Sequence, residues 1–391
     1  MTEWKRVKLG DICYITSSKR IFAKEYQKEG VPFYRGKEII EKHYGNNVST
    51  ELFISRQRYE EIKAKFDVPK RGDILLSSVG TLGVSWLVDE DEFYFKDGNL
   101  TWLRPNKLTT SGYLYLWLNS PACQHQIDVM CIGSTQKALT IETLNKFDVF
   151  LPDIFTQNKI CDQIYPIMEK IKNNRMINEN LLQQLHQMYL HILGTSDMDI
   201  LLGSVINTTS GGTPSRKHDE YYSDGSICWV KSKELLSGYI HDTEEHINEL
   251  AVEKSSAKLL PTHSVLIAMY GATVGAYGII AKPMTCNQAV CALLSNEKYP
   301  YTYLFQLACE SQQKLINLAV GSAQQNISQV LIKQLPIHQN FEAIHHFHSL
   351  AKPMHEEIES LQAENAKLAA IRDSLLPKLM SGELDVSALD L

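Results

Sequence analysis

No stretch of this chain is apolar for the length a membrane-spanning helix needs, so no such span is expected. No apolar signal region follows Met1-Thr2-Glu3-Trp4-Lys5-Arg6, and a cytoplasmic location is the expectation. The eight cysteines include no Cys-x-x-Cys pair; the closest two, Cys286 and Cys291, lie in an apolar run. Buried free thiols are therefore expected, rather than disulfides or metal ligands. Catalytic signatures are also missing. There is no Gly-x-x-x-x-Gly-Lys-Ser/Thr phosphate cradle, no Gly-x-Ser-x-Gly elbow and no His-Glu-x-x-His. Neither the Asn/Asp-Pro-Pro-Tyr/Phe motif of an adenine methyltransferase nor a Gly-x-Gly-x-x-Gly turn after a strand occurs. His345, His346 and His348 cluster without an evident third ligand and read as a solvated helix face. No catalytic or metal residue is assigned. A net charge of −6 excludes a chain coated in positive charge, but not one with a local basic surface.

What is present is a repeat. The 391 residues are enough for two or three domains. Residues 166–194 begin Pro166-Ile167-Met168-Glu169-Lys170-Ile171, and 353–382 begin Pro353-Met354-His355-Glu356-Glu357-Ile358, about half a chain later. Ile160, Ile164, Ile167, Ile171, Leu181, Leu185, Met188 and Ile192 recur at helical spacing in the first copy. Ile344, Phe347, Met354, Ile358, Leu361, Leu368, Leu375 and Leu379 do so in the second. Such stripes match coiled-coil seams. Asn178 and Asn365 occupy the same seam position, where a buried Asn fixes register. Each proline is expected in the first helical turn, where its missing N–H has no partner to lose. Tyr189, Leu190, Leu193, Leu376 and Met380 are expected on outer faces that need cover.

The regions between the helices also correspond. Leu9-Gly10-Asp11-Ile12 matches Leu202-Gly203-Ser204-Val205, and Pro32-Phe33-Tyr34-Arg35-Gly36-Lys37 matches Cys228-Trp229-Val230-Lys231-Ser232-Lys233. The strand Ile74-Leu75-Leu76 runs into Ser78-Val79-Gly80-Thr81-Leu82-Gly83. Its counterpart Val265-Leu266-Ile267 runs into Tyr270-Gly271-Ala272-Thr273-Val274-Gly275. An amphipathic helix is expected over 112–130, and Gly133-Ser134-Thr135-Gln136 matches Gly321-Ser322-Ala323-Gln324. The fold class expected is α/β: two similar mixed α/β domains, 1–152 and 197–338. Each is followed by a long helix, at 153–196 and 339–391. Ile164, Ile167, Ile171, Asn178, Leu181 and Leu185 would form one side of the seam. Met354, Ile358, Leu361, Asn365, Leu368 and Leu375 would form the other. A helix of about 27 residues would be roughly 40 Å long, near the ~34–36 Å of one duplex turn.

The matched polar loops are the candidate binding elements. Ser210, Gly211, Gly212, Thr213, Ser215, Arg216 and Lys217 combine glycines, hydroxyls and cations suited to phosphates. Ser322 and the amides of Gln324, Gln325 and Asn326 are of the type that reads adenine edges. In the first half the basic stretch over 19–37, with Lys19, Arg20, Arg35 and Lys37, would take the phosphate role. Thr81, Gln136, Lys137, Lys231, Lys233, Tyr270 and Thr273 complete the DNA-binding set.

Three segments carry a resemblance. They are Ser210-Gly211-Gly212-Thr213-Pro214-Ser215 with Tyr221-Tyr222 and Gly225-Ser226-Ile227-Cys228-Trp229, then Gly321-Ser322-Ala323-Gln324-Gln325-Asn326-Ile327-Ser328, and finally Ile371-Arg372-Asp373-Ser374-Leu375-Leu376-Pro377-Lys378-Leu379-Met380-Ser381-Gly382-Glu383. Together they resemble the specificity (S) subunits of type I restriction–modification systems over nearly the whole chain. The first half departs, with Ser17-Ser18-Lys19-Arg20 in place of the Gly-Gly-Thr-Pro loop and Lys137-Ala138-Leu139 after Gln136. The resemblance implies a non-catalytic subunit whose two target-recognition domains, held apart by the two long helices paired antiparallel with pseudo-twofold symmetry, read a bipartite, asymmetric double-stranded DNA site. It implies two methyltransferase (M) subunits carrying S-adenosylmethionine, and restriction/translocase (R) subunits carrying ATP and magnesium. No cofactor is implied on this chain. The alternatives are the recognition part of a self-sufficient restriction or methylation enzyme, and a coiled-coil scaffold without DNA binding.

Overall fold

Residues 4–46, 48–89, 92–131, 138–194, 197–319 and 326–386 are described in a computed structural model of the chain. The backbone divides into two units, Met1–Lys172 with Lys367–Leu391, and Asn173–Ala366. The division falls within the two long helices rather than at their ends.

In the first unit the apolar run Ile74–Ser77 is buried on both faces, as the interior of a sheet requires. It pairs antiparallel with Leu100–Pro105 and Ser85–Leu87, and Cys13–Thr16 closes the other edge. A second sheet is ordered Tyr26–Gln27, Phe53–Ile54, Val31–Tyr34, Tyr94–Phe95, its last pair parallel. Lys5–Lys8 and Asp148–Leu151 form a separate antiparallel ribbon.

The second unit repeats this plan. Asn207–Ser210, Val290–Leu294, Val265–Ala268 and Tyr277–Ile280 form the same antiparallel order, extended by Tyr239–Ile240. His246–Ile247, Ile227–Val230 and Thr285–Cys286 form the second sheet, again ending in a parallel pair. Even the register agrees: Pro32 lies opposite Phe53 in one unit, and Cys228 opposite His246 in the other.

Two long helices, Ile154–Leu193 and Phe341–Ser381, are each shared between the units. In the second unit Asn174 meets Asn365 and the ring of Tyr189 lies 5.7 Å from that of Phe347, so the helices run antiparallel. In the first unit Ile160 and Ile164 share a core with Leu376, Leu379 and Met380. Ile164, Ile171, Asn178, Leu185, Ile358 and Leu361 are buried, while Ile167, Leu181, Met354, Asn365, Leu368 and Leu375 are partly buried.

Several expectations are corrected. Pro166 and Pro353 lie inside their helices, not in the first turn. Both helices begin well before the prolines because Asp153 and Asn340 cap them: Asp153 Oδ1 accepts from Thr156 N at 2.8 Å, and Asn340 Oδ1 from Ala343 N at 3.0 Å. Each proline removes one helical hydrogen bond, which the packed length on both sides tolerates. At 40 and 41 residues the helices are each roughly 60 Å long, so helix length does not match one duplex turn. The helix expected over 112–130 is two, Ser111–Leu118 and Pro121–Cys131. Pro121 supplies no N–H to continue the first. Tyr189, Leu193, Leu376 and Met380 are buried in their own units, and of that set only Leu190 is exposed. The two α/β layers cover them, so they do not wait for a partner. His348 is half-buried and its Nδ1 lies 2.9 Å from Thr302 Oγ1, whereas His345 and His346 are exposed.

Candidate nucleic-acid interface

Each unit brings the same two loops together. In the first, strand Ile74–Ser77 opens into the 78–83 loop, where Leu139 N donates to Ser78 O at 2.9 Å and Val79 bridges Ala138. In the second, strand Val265–Ala268 opens into the 270–275 loop, where Ile327 N donates to Met269 O at 2.9 Å and Tyr270 bridges Asn326. Val79 is 43% and Tyr270 39% exposed, so both bridges lie at the surface. Gly80 and Gly271 have φ of 83° and 73° with open space around them. A side chain at this backbone conformation would be strained, so the loop itself demands glycine. Thr273 Oγ1 donates to Tyr270 O at 3.2 Å and stiffens the turn, while Thr81 and Asn326 are exposed. Gln136, Lys137, Ser322, Gln324 and Gln325 lie outside the described residues.

The Ser210–Lys217 segment is held differently from the expectation. A Cβ on Gly211 would collide with the backbone of Cys286 and Asn287, and one on Gly212 with Ser256. These glycines let the loop lie against its own sheet; they do not open backbone to a phosphate. Ser210 Oγ donates to Gln329 Oε1 at 3.1 Å and Gln329 Nε2 to Thr208 Oγ1 at 2.7 Å, tying the loop to the segment after Asn326. Trp229 Nε1 donates to Gly212 O at 3.0 Å and Tyr222 Oη to Pro214 O at 2.7 Å. Thr213, Ser215, Arg216 and Lys217 remain exposed.

Most candidate cations already have acidic partners. The Arg216 guanidinium stacks 4.2 Å from the Tyr222 ring centroid and pairs with Glu245. Lys231 pairs with the same carboxylate, and Lys233 pairs with Glu244 at 2.5 Å. The hydrogen bond from Lys231, then that from Arg216, holds the Glu245 carboxyl below its ordinary range despite the opposing effect of burial. In the first unit Arg20 pairs with Asp97 at 2.8 Å, and Lys37 lies 3.7 Å from Glu41. Lys19 Nζ sits 4.2 Å over the Phe66 ring. Arg35 pairs at 2.9 Å with Glu38, which is fully buried and accepts from Arg35 N at 2.7 Å. The matched Lys231 N donates to Glu234 at 2.7 Å, so this small cap is common to both units. Arg35 is thus committed to the fold. Sequence reading missed Glu245, which nothing near Lys231 in the chain announces. Tyr222 and Trp229 were visible in the motif, but not as a platform for Arg216.

A family model described as the type I restriction modification DNA specificity domain matches residues 1–187 and again 198–338. The chain belongs to that family. Specificity subunits are the non-catalytic DNA-recognition subunits of type I systems. The MjaIX specificity subunit of Methanocaldococcus jannaschii is 24% identical over 99% of this chain and 95% of its own. The HindI specificity subunit of Haemophilus influenzae is 23% identical over 98% and 100%. In fold, the chain is similar to the crystal structure of a type I S subunit from M. genitalium. The TM-score is 0.59 at 16% identity, covering 97% of this chain and 96% of that one.

Proposed function

We propose that this specificity subunit reads a bipartite, asymmetric double-stranded DNA target, with residues 1–152 recognising one half and 197–338 the other. The observation that carries this reading is the pair of equivalent loop bridges, Val79 to Ala138 and Tyr270 to Asn326. One scaffold presents the same two loops in each unit, with different side chains on them. In the first unit Lys19, Arg20 and Lys37 take phosphates, and Thr81, Gln136 and Lys137 complete the set. In the second, Arg216, Lys217, Lys231 and Lys233 take phosphates, and Tyr270, Thr273, Ser322, Gln324, Gln325 and Asn326 face bases.

The helices, with the segments 153–196 and 339–391, act as spacer and as dock for two methyltransferase subunits, through which restriction subunits join. Met176, Ile177 and Leu350 in the second unit, and Ile371 in the first, are exposed apolar residues on these helices that such a partner would cover. S-adenosylmethionine then belongs to the methyltransferase subunits, ATP and magnesium to the restriction subunits, and the complex works in the cytoplasm. The decisive experiment exchanges residues 1–152 for the same region of another specificity subunit and sequences the methylated sites. One half-site should change and the other persist; a change in both halves defeats the reading.

A further inference from the structure

We propose that Cys228, Asp242 and His246 form a binding site for one divalent transition-metal ion of the zinc class, private to the second unit. Among the described residues this is the one group of three His, Cys, Asp or Glu side chains whose donor atoms all lie within 4.8 Å of one another. Strand register builds it. Cys228 on Ile227–Val230 faces His246 on the neighbouring antiparallel strand, and Asp242 stands four residues before His246. The Cys228 thiol donates to Asp242 Oδ1 at 3.3 Å, and His246 Nε2 lies 2.8 Å from the same oxygen.

The donor set selects the ligand class. Thiolate, imidazole and carboxylate together suit zinc and its neighbours, whereas calcium and magnesium require all-oxygen cages. Tetrahedral zinc would space these donors by roughly 3.4–3.6 Å, so modest opening of the present hydrogen bonds admits the ion. A water completes four-coordination. Binding is balanced simply: the Cys228 thiol gives its proton to solvent, the sulfur bonds the metal, and the metal keeps its charge state. The surrounding charges are mixed. Burial and the Asp242 carboxylate raise the thiol's pKa, while the Lys282 ammonium lowers it. Lys282 is exposed, and its hydrogen bond to the thiol must open toward water when the cation enters.

The duplicated unit provides the internal control. Its matched cross-strand pair is Pro32 and Phe53, two side chains that cannot ligate a metal, on the same pair of strands. The trio is therefore not required by the architecture. A bound ion would clip the two strands one residue away from Trp229 and Glu245, on which Arg216 and Lys231 rest.

The test uses the full chain, reduced, stripped with chelator and titrated at neutral pH with cobalt(II), then zinc. The expected result is one tight equivalent, a thiolate-to-cobalt charge-transfer band displaced by zinc, and release of a proton. Cys228→Ser should abolish the band, and His246→Phe, which installs the side chain of the first unit, should weaken binding at least tenfold. Should His246→Phe not fold, Asp242→Asn takes its place. Absence of stoichiometric binding in the unmodified chain overturns the proposal. So does a charge-transfer band that survives Cys228→Ser, since other thiols would then carry it.

Discussion

Asn174 Nδ2 donates to Asn365 Oδ1 at 3.0 Å and to Glu364 Oε2 at 2.6 Å, a polar contact across two helices at a fully buried side chain. One turn later Asn178 is also buried, and the Oδ1 of each asparagine accepts no hydrogen bond among the described residues. Its two donor contacts should make Asn174 the costlier of the two to lose. Asn174→Leu removes a donor from two acceptors and should cost about 1–3 kcal/mol. Asn178→Leu removes a buried amide whose oxygen has no partner among the described residues and should cost less. Urea midpoints of the two variants measure this; equal losses in both would show that the Asn174 contact contributes nothing of its own.

The second unit should be the more acid-sensitive. His241, His338, His348 and His355 all belong to it, and burial lowers the pKa of each, that of His355 to about 3. The fully buried His355 ring accepts from or donates to Tyr239 Oη at 3.1 Å through Nδ1, and His263 and His348 oppose its protonation further. Between the folded and unfolded values the unfolded chain binds the extra proton, so stability is present above the unfolded pKa and lost as pH falls. Each such histidine contributes up to about 1.4 kcal/mol per pH unit within its window. Hydrogen exchange compared at about pH 7 and about pH 5 should show lost protection in residues 173–366 before 4–172. Uniform loss across both units would contradict it.

The fold was legible because its strongest signals are local and doubled. The apolar runs at 74–76 and 265–267, the glycine turns after them and the 3–4 spacing of the long helices each depend on neighbours in sequence. Pro166 and Pro353 did not belong in a first turn, because Asp153 and Asn340, with short capping side chains, are the better signal for where the helices begin. The site was less legible. Glu245 meets Arg216 and Lys231, and His246 meets Cys228, only because two strands fold back antiparallel. Gly211 and Gly212 looked like a ligand cradle because close backbone approach requires glycine whether the neighbour is a phosphate or the protein's own sheet.

Asn326 is suited to a clean test of base reading. It joins Tyr270 through a backbone bridge, so removing its side chain leaves the loops paired. Asn326→Ala should relax one position of one half-site by about 1–3 kcal/mol and leave the other half-site unchanged. Binding to targets altered one base pair at a time reports this. An equal loss on every target would assign Asn326 to the backbone instead.

Glu245 offers the sharpest test of the phosphate assignment, because it holds both Arg216 and Lys231. If those cations meet phosphates, each must leave the carboxylate to do so, and Glu245 opposes binding as a competing anion. Glu245→Gln keeps the shape and removes the charge. DNA should then bind several-fold tighter for every sequence alike, since phosphate contacts position without reading bases. Arg216→Ala in the unmodified chain should weaken binding evenly and flatten the salt dependence by about one unit. Placed on the Glu245→Gln background, Arg216→Ala should cancel much of the gain, because one of the released cations is then gone. Salt titrations of the four proteins complete the cycle. Tighter binding in Glu245→Gln that persists undiminished in the double variant would move the phosphate contact away from Arg216, and unchanged affinity in Glu245→Gln would remove both cations from the interface.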